Sequence, residues 1–505
     1  MMLSPVDGGA RDRGIRGQRR DRRPIRDPRL ADTVFVTPRA VAAFTVLVLA
    51  YLVVVHVASL SLRIIPIDFY QYWGASAARR VSTEALGSPY REARRYGAAL
   101  LDAATRSGRP MFQQVSQYAT PPNFTATPFV YTLFALLPAT YTEASLLYYS
   151  LQIIFFLAAV IVVGVVYRYP AFPLLCLALL LILASGPLNA DLRLGNLGCL
   201  QFIALAILLA LADRLRDARP SATLGGALLS GLTLLVLTKP NVALVLVCMV
   251  LHLWVARGTR FLLMAAWPAV LCGGAAVILS SLHFGSWTVW QEWSATALGL
   301  STVGSHPSTV ERHLTRGNYS TPLLLGSWLH LSSWASASLI AVGLATSTLA
   351  VVGRSVLAEA SARAAPIRAA LARALGDPHL AMAVGITLTI ALPPLVWFHY
   401  YVIALIPSLW LLNVPSTRPA VRWCGLVALV LSSGLPSGLF LSLAWNTAGH
   451  VCAALSWLAL WAGVLVRLSE SDVPSTHREP RHRPERRPAA GEAQHRRRSR
   501  AASRH

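Results

Sequence analysis

Residues 40–62 read AVAAFTVLVLAYLVVVHVASLSL, with no charged side chain among them. An α-helix rises ~1.5 Å per residue, so these 23 residues are enough to cross a hydrocarbon core of ~30 Å. Ten Arg stand against five Asp in residues 1–39. Basic flanks stay in the cytoplasm, which places the N-terminus inside and the stretch after Leu62 outside. That stretch opens Arg63-Ile-Ile-Pro66-Ile-Asp68-Phe-Tyr70-Gln-Tyr72-Trp73.

Twelve further apolar stretches lie near 126–140, 143–166, 171–187, 197–212, 223–238, 240–256, 261–281, 334–353, 379–396, 400–413, 423–443 and 448–467. The basic clusters at Arg214/Arg216/Arg219, Arg257/Arg260, Arg354–Arg373 and Arg418/Arg422 belong in the cytoplasm. They allow only two crossings between 126 and 187, where three stretches lie, so one of these is re-entrant, broken or fused with a neighbour. The expectation is an all-α polytopic membrane protein with about twelve transmembrane helices and both termini cytoplasmic. Residues 63–125 form a long first outer loop carrying short amphipathic helices on the membrane surface. The expected organisation is a basic disordered tail at 1–38, a transmembrane domain at 39–468 and an Arg/His-rich tail at 469–505. No cleaved signal peptide is expected.

Composition agrees. The chain is 55% hydrophobic and 13% charged, against about 25% charged in soluble domains, and its mean hydropathy is +0.52. An ordinary soluble enzyme is excluded. The net charge of +23 does not indicate a nucleic-acid partner, because residues 1–39 and 478–505 carry +12 of it. Basic tails around an apolar body are expected near anionic headgroups. Six Cys lie in apolar segments at irregular spacing, with no CxxC or Cys/His pattern, so neither a disulfide framework nor a metal site is expected. Walker, Rossmann, His-Glu-x-x-His and Gly-x-Ser-x-Gly signatures are absent. Energy for any group transfer must therefore come from a substrate already in the membrane.

The expected outer face collects the polar residues: Asp68, Tyr70 and Tyr72; Asn123; Asn189, Asp191 and Asn196; Lys239; His306, His313, Arg316 and Asn318; Trp397 and His399. Asp68, ringed by aromatics at a membrane boundary, is a candidate base if it is partly desolvated. It reads equally as a solvated loop carboxylate. Lys239, the only lysine, lies between apolar runs, where an ionisable group is costly and marks function by default. It suits a phosphate as a point charge, or it snorkels from a helix end. His399 suits a hydrogen bond donated to a phosphate oxygen or a proton shuttle, or it is a packed interfacial ring. Asn318 and Ser320 are candidates for sugar hydroxyls. Asp191 and Glu292 are rival carboxylates whose plainer reading is a solvated or capping acid.

Six motifs, in order, resemble glycosyltransferase family 87, the polyprenyl-phosphate-sugar-dependent enzymes of GT-C fold that include phosphatidylinositol-mannoside mannosyltransferases. They are Asp68-Phe-Tyr-x-Tyr-Trp73, Pro121-Pro-x-Phe-x-x-x-Pro-Phe129, Gly195-Asn196, Lys239-Pro240, Asn318-Tyr-Ser320 and Trp397-Phe-His399. The departures are Asn196 where the family tends to have Gln, and the close spacing of Lys239 to Pro240 where it has Lys-x-x-Pro. Both bear on the identity of the donor sugar more than on the reaction class. The resemblance implies an inverting mannosyltransferase of the plasma membrane with an extracytoplasmic active site. Asp68 would be the base, and Lys239, His399 and Arg316 would face the donor phosphate. Tyr70, Tyr72, Asn196 and Asn318 would orient sugar hydroxyls. The partners implied are a polyprenyl-phosphate sugar donor and a lipid or glycan acceptor, with no metal or other cofactor. A transporter or flippase of a lipid-linked sugar is the alternative, and a membrane scaffold the third reading. Reporter fusions at positions 30, 100 and 475 test the topology: cytoplasmic signals at the first and last and an outer signal at 100 are expected.

Overall fold

A computed structural model describes residues 38–63, 66–82, 85–119, 121–216, 221–301, 318–359, 375–416, 418–434 and 445–470. Both expected tails lie outside these residues. The chain divides between Thr45 and Val46 into two compact units, and the described part of the first is the opening of one helix. The described residues are helical and contain no strand; a lone bridge joins Asn318 to Trp397.

In chain order the helices are α1 (Pro38–Arg63), α2 (Ile67–Val81), α3 (Pro89–Ser107), α4 (Pro110–Tyr118), α5 (Pro128–Phe134), α6 (Tyr141–Val166), α7 (Ala171–Ala184), α8 (Gly186–Leu194), α9 (Gly198–Arg214) and α10 (Ala222–Thr238). After a 3₁₀ turn at Pro240–Val242 come α11 (Ala243–Arg257), α12 (Thr259–Phe284), α13 (Val289–Ser301), α14 (Thr321–Leu329), α15 (Ser333–Glu359) and α16 (Pro378–Ala391). A 3₁₀ segment, Phe398–Ala404, leads into α17 (Leu405–Asn413), followed by α18 (Pro419–Ser432) and α19 (Trp445–Glu470). Proline occupies the first turn of α3, α4, α5, α8, α14, α16 and α18. Its fixed φ suits a helix start and its missing N–H costs nothing there.

Among the described residues, five helical stretches are long and apolar enough to cross a membrane: Tyr141–Val166, Pro240–Arg257, Thr259–Phe284, Ser333–Val352 and Gly449–Glu470. The pair α7 and α8, bent by 61°, makes a sixth if counted as one. Their outward faces are apolar. On α12, Leu263, Trp267 and Leu282 are each about two-thirds exposed, at 67%, 64% and 65%. Such a continuous apolar face is typical of contact with lipid.

The stretch 126–140 departs from expectation. It folds as the seven-residue α5, far short of a crossing, and its Val130, Tyr131 and Phe134 are buried. Of the three stretches between 126 and 187, α6 is long and apolar enough to cross, and α7–α8 passes the same test only when the bent pair is counted as one. The expected outer segment does contain short helices, α2, α3 and α4. With α5 and the start of α6 they enclose an aromatic core of Phe69, Tyr70, Trp73, Phe112, Tyr131 and Tyr141. The stacked rings of Phe112 and Tyr141 lie 5.1 Å apart.

A second, mostly aliphatic core lies among the long helices and includes Phe156, Phe202, Leu205, Ile386 and Ile403. Here α6 packs on α9, α10 on α12, α11 on α16, and α18 on α17 and α19. All six cysteines are free. Small residues set the closest approaches, as expected where helices associate by packing. A Cβ on Gly385 of α16 would lie 2.7 Å from the Val245 Cα of α11, so backbone touches backbone. Gly274 of α12 has nothing within 4 Å of the same position. Gly385→Val should therefore cost roughly 1–3 kcal/mol of overpacking and lower Tm clearly. Gly274→Val, with the same change in helix propensity, should leave Tm near wild type.

Candidate functional site

Pro66 starts α2, placing Asp68 in its first turn, where the positive end of the helix favours a carboxylate. Lys239 sits in the break between α10 and the 3₁₀ turn. A residue before proline is pushed out of helical geometry, and Lys239 is extended, at φ −148° and ψ 97°. That break turns the only lysine away from the helix ladder and into the interior, where it is buried.

Asn196 joins the two. Its Nδ2 donates to Asp68 Oδ2 at 2.6 Å. Its Oδ1 accepts from Lys239 Nζ at 2.8 Å and from the Leu197 N–H at 2.7 Å. Its backbone carbonyl accepts from Tyr148 Oη at 2.6 Å and also from Gln152 Nε2. Gly195 makes this position reachable. It ends α8 with φ +65°, and a Cβ there would lie 2.5 Å from Phe69 Cβ. Only glycine allows both the left-handed conformation and the contact with the start of α2.

Asp191 is fully buried, and its carboxylate caps α9: Oδ1 accepts from the Gly198 N–H and Oδ2 from the Cys199 N–H, both at 2.9 Å. It is a capping acid, one of the two plain readings, rather than a solvated one. Glu292 pairs with Arg91 at 2.9 Å and accepts from Thr288 Oγ1 at 2.8 Å.

His399 is buried at the start of the second 3₁₀ segment, and its Nε2 has no hydrogen-bond partner among the described residues. Its ring meets that of Tyr400 edge-on at 4.8 Å. Tyr400 in turn carries Lys239 Nζ over its face, 4.2 Å from the centroid, a cation–π contact. Asp68, Tyr72, Asn196, Lys239 and His399 together line one cavity of about 360 Å³.

Two expected residues stand elsewhere. Tyr70 belongs to the aromatic core, 6.3 Å from the Tyr141 ring centroid. Asn318 is spent on backbone. Its Nδ2 donates to the Pro394 carbonyl at 3.1 Å, and its Oδ1 accepts from Val396 N–H at 2.9 Å and Ser320 N–H at 3.1 Å. With Ser320 Oγ donating to the Pro393 carbonyl at 2.9 Å, it fastens the loop that carries Trp397 and His399. Its place is behind the site, not in contact with a ligand in the cavity. Arg316, His306 and His313 lie outside the described residues. Sequence reasoning missed Gln71, Thr125, Thr127 and Tyr400, which also line the cavity. The position of Gln71, one turn after Asp68, was the available signal.

Burial raises the Asp68 carboxyl from its ordinary 3.8 to about 6, against the opposing Asn196 hydrogen bond and Lys239 charge. Burial also lowers the Lys239 ammonium from 10.5 to about 8, against the opposing charges of Asp191 and Asp68. The site thus offers an oxygen base, a buried cation and an unpartnered imidazole nitrogen around a space of ligand size. No group of three or more His, Cys, Asp or Glu among the described residues is placed to hold a metal. No protein-family model, curated protein or solved structure matches the chain.

Gly195→Ala tests the construction. It should lower stability by roughly 1–3 kcal/mol, from the left-handed backbone plus the clash with Phe69. Gly108 shares the positive φ, at +64°, but has open space around it. Gly108→Ala should show only the smaller, conformational part in the same thermal melts.

Proposed function

We propose that this cavity is the active centre of an integral-membrane glycosyltransferase. It moves a sugar, mannose by the family resemblance, from a polyprenyl-phosphate donor to a lipid or glycan acceptor outside the cytoplasm. The observation that carries this reading is the placement of Asp68 and Lys239 on one cavity, both held by the amide of Asn196. About twelve crossings with both termini cytoplasmic belong to the same proposal.

Asp68 takes the proton from an acceptor hydroxyl as its oxygen attacks the anomeric carbon. The carbon–oxygen bond to the phosphate breaks, and its electron pair leaves with the polyprenyl phosphate. The configuration inverts because attack comes from the face opposite the leaving group. Lys239 and His399 meet the charge that develops on the phosphate oxygen. Tyr72 and Asn196 orient the sugar, while Tyr70 and Asn318 support the walls. Protonated Asp68 then returns its proton to water.

A transporter of a lipid-linked sugar is the second reading. The observation in its favour is the pair of helix breaks, at the α7–α8 bend and at Lys239, since transporters build sites from broken helices.

Release of polyprenyl phosphate by the wild type separates the two, and Asp68→Asn tests the base. General-base catalysis typically contributes about 10²–10⁴-fold, so this variant should lose at least two orders of magnitude in turnover while still binding the polyprenyl donor. Wild-type turnover should rise as pH passes about 6, where Asp68 ionises, and fall as it passes about 8, where Lys239 loses its proton. Full activity in Asp68→Asn would remove the base. Lipid movement without release of polyprenyl phosphate would replace the enzyme with the transporter.

A further inference from the structure

We propose that a second cavity, at the far end of the helices that carry the first, binds a phosphate-bearing anion. The two cavities share no lining residue. They are joined by α9, which starts two residues after Asn196 and ends at Arg214, 17 residues and so ~25 Å later. The α6 helix makes the same passage, from Tyr148 and Gln152 beside Asn196 to the turn at Tyr167. The second cavity measures about 580 Å³, and Arg168, Arg214, Arg216 and Arg467 line it.

Its acids are already engaged. Asp213 Oδ1 accepts from His379 Nε2 at 2.9 Å and lies 3.5 Å from Arg216. The other guanidinium nitrogen of Arg216 lies 3.7 Å from Asp377. Arg467 leans on Glu470 at 3.4 Å. Arg168 and Arg214 pair with no carboxylate among the described residues, so the lining keeps an excess of positive charge. A position in the last turn of α9 accounts for Arg214 through the helix dipole. The same dipole favours the charge of Arg168, which follows directly on the end of α6, but not its backbone conformation.

Arg168 closes α6. Its N–H bonds the Val165 carbonyl at 3.2 Å, and the next N–H reaches back to Gly164 at 2.8 Å. This helix-ending turn favours glycine at the residue that adopts positive φ. Arg168 holds φ +58° there, one of two non-glycine residues at positive φ among those described. An arginine kept in a conformation that penalises any Cβ points to a use for its side chain. The independent observation is Tyr167. It lines the same cavity, is buried, and its hydroxyl has no hydrogen-bond partner among the described residues. A buried hydroxyl without a partner is costly, and an anionic oxygen would satisfy it.

Guanidinium forks and a phenolic donor suit phosphate oxygens. The apolar outer faces of the helices favour a lipid headgroup over a free ion as the source, because basic pockets between membrane helices take such headgroups. The test uses the full chain purified in an uncharged detergent, titrated with short-chain phosphatidylglycerol and separately with inorganic phosphate, and read by calorimetry. The variants are Arg168→Gly, which relieves the backbone and should melt no lower than wild type, and Arg214→Gln. Saturable phosphatidylglycerol binding that weakens about tenfold or more in each variant supports the lipid source. The same pattern with inorganic phosphate alone supports the site and assigns it to a free anion. Absence of saturable binding to either, or binding that both variants leave unchanged, overturns the proposal. The readout is binding, so it stands or falls independently of glycosyl transfer at Asp68.

Discussion

A lysine buried among apolar helices must find partners, or its desolvation costs several kcal/mol. Lys239 finds two, the side-chain amide oxygen of Asn196 at 2.8 Å and the face of Tyr400 at 4.2 Å. Much of the site follows from that requirement. Because the Asn196 oxygen is taken by Lys239 and by the Leu197 N–H, its amide nitrogen is turned toward Asp68. The acid and the cation are thus bridged through one planar group, whose backbone is pinned in turn by Tyr148 and Gln152 of α6. A rigid bridge keeps the two charges from collapsing onto each other, so both remain available to the cavity.

The same physics explains what was legible in the sequence. Long charge-free runs and basic clusters are global signals, and they located the long helices without any knowledge of contacts. The run at 126–140 misled because hydropathy cannot tell a side chain that faces lipid from one buried in an aromatic core. Tyr131 and Phe134 took the second course. Asp68, Lys239 and His399 stood out because ionisable groups between apolar stretches need a reason to be there, and Asn196 because it follows a glycine at a helix boundary.

Side-chain direction was harder to read. Tyr70 and Tyr72 lie two residues apart on α2, and so ~200° apart around the helix. Only one of them can face the cavity, and the sequence does not say which. Asn318 bonds to a loop 76 residues away, at Pro394, a partner that no local pattern reveals. Asp191 caps an amide seven residues further along, at Gly198. That spacing is legible once the turn at Gly195 is known, and not before.

The scarcity of lysine has a practical consequence. Across 505 residues there is one, Lys239, and it lines the cavity. Amine-reactive reagents, which label most proteins all over their surface, have a single side-chain target here. The lowered proton affinity of that amine leaves part of it neutral, and therefore nucleophilic, at physiological pH. Acylation of this chain would thus report entry of a small molecule into the cavity, and any occupant seated against the ammonium would protect it. The protein carries its own site-specific chemical probe without an engineered residue.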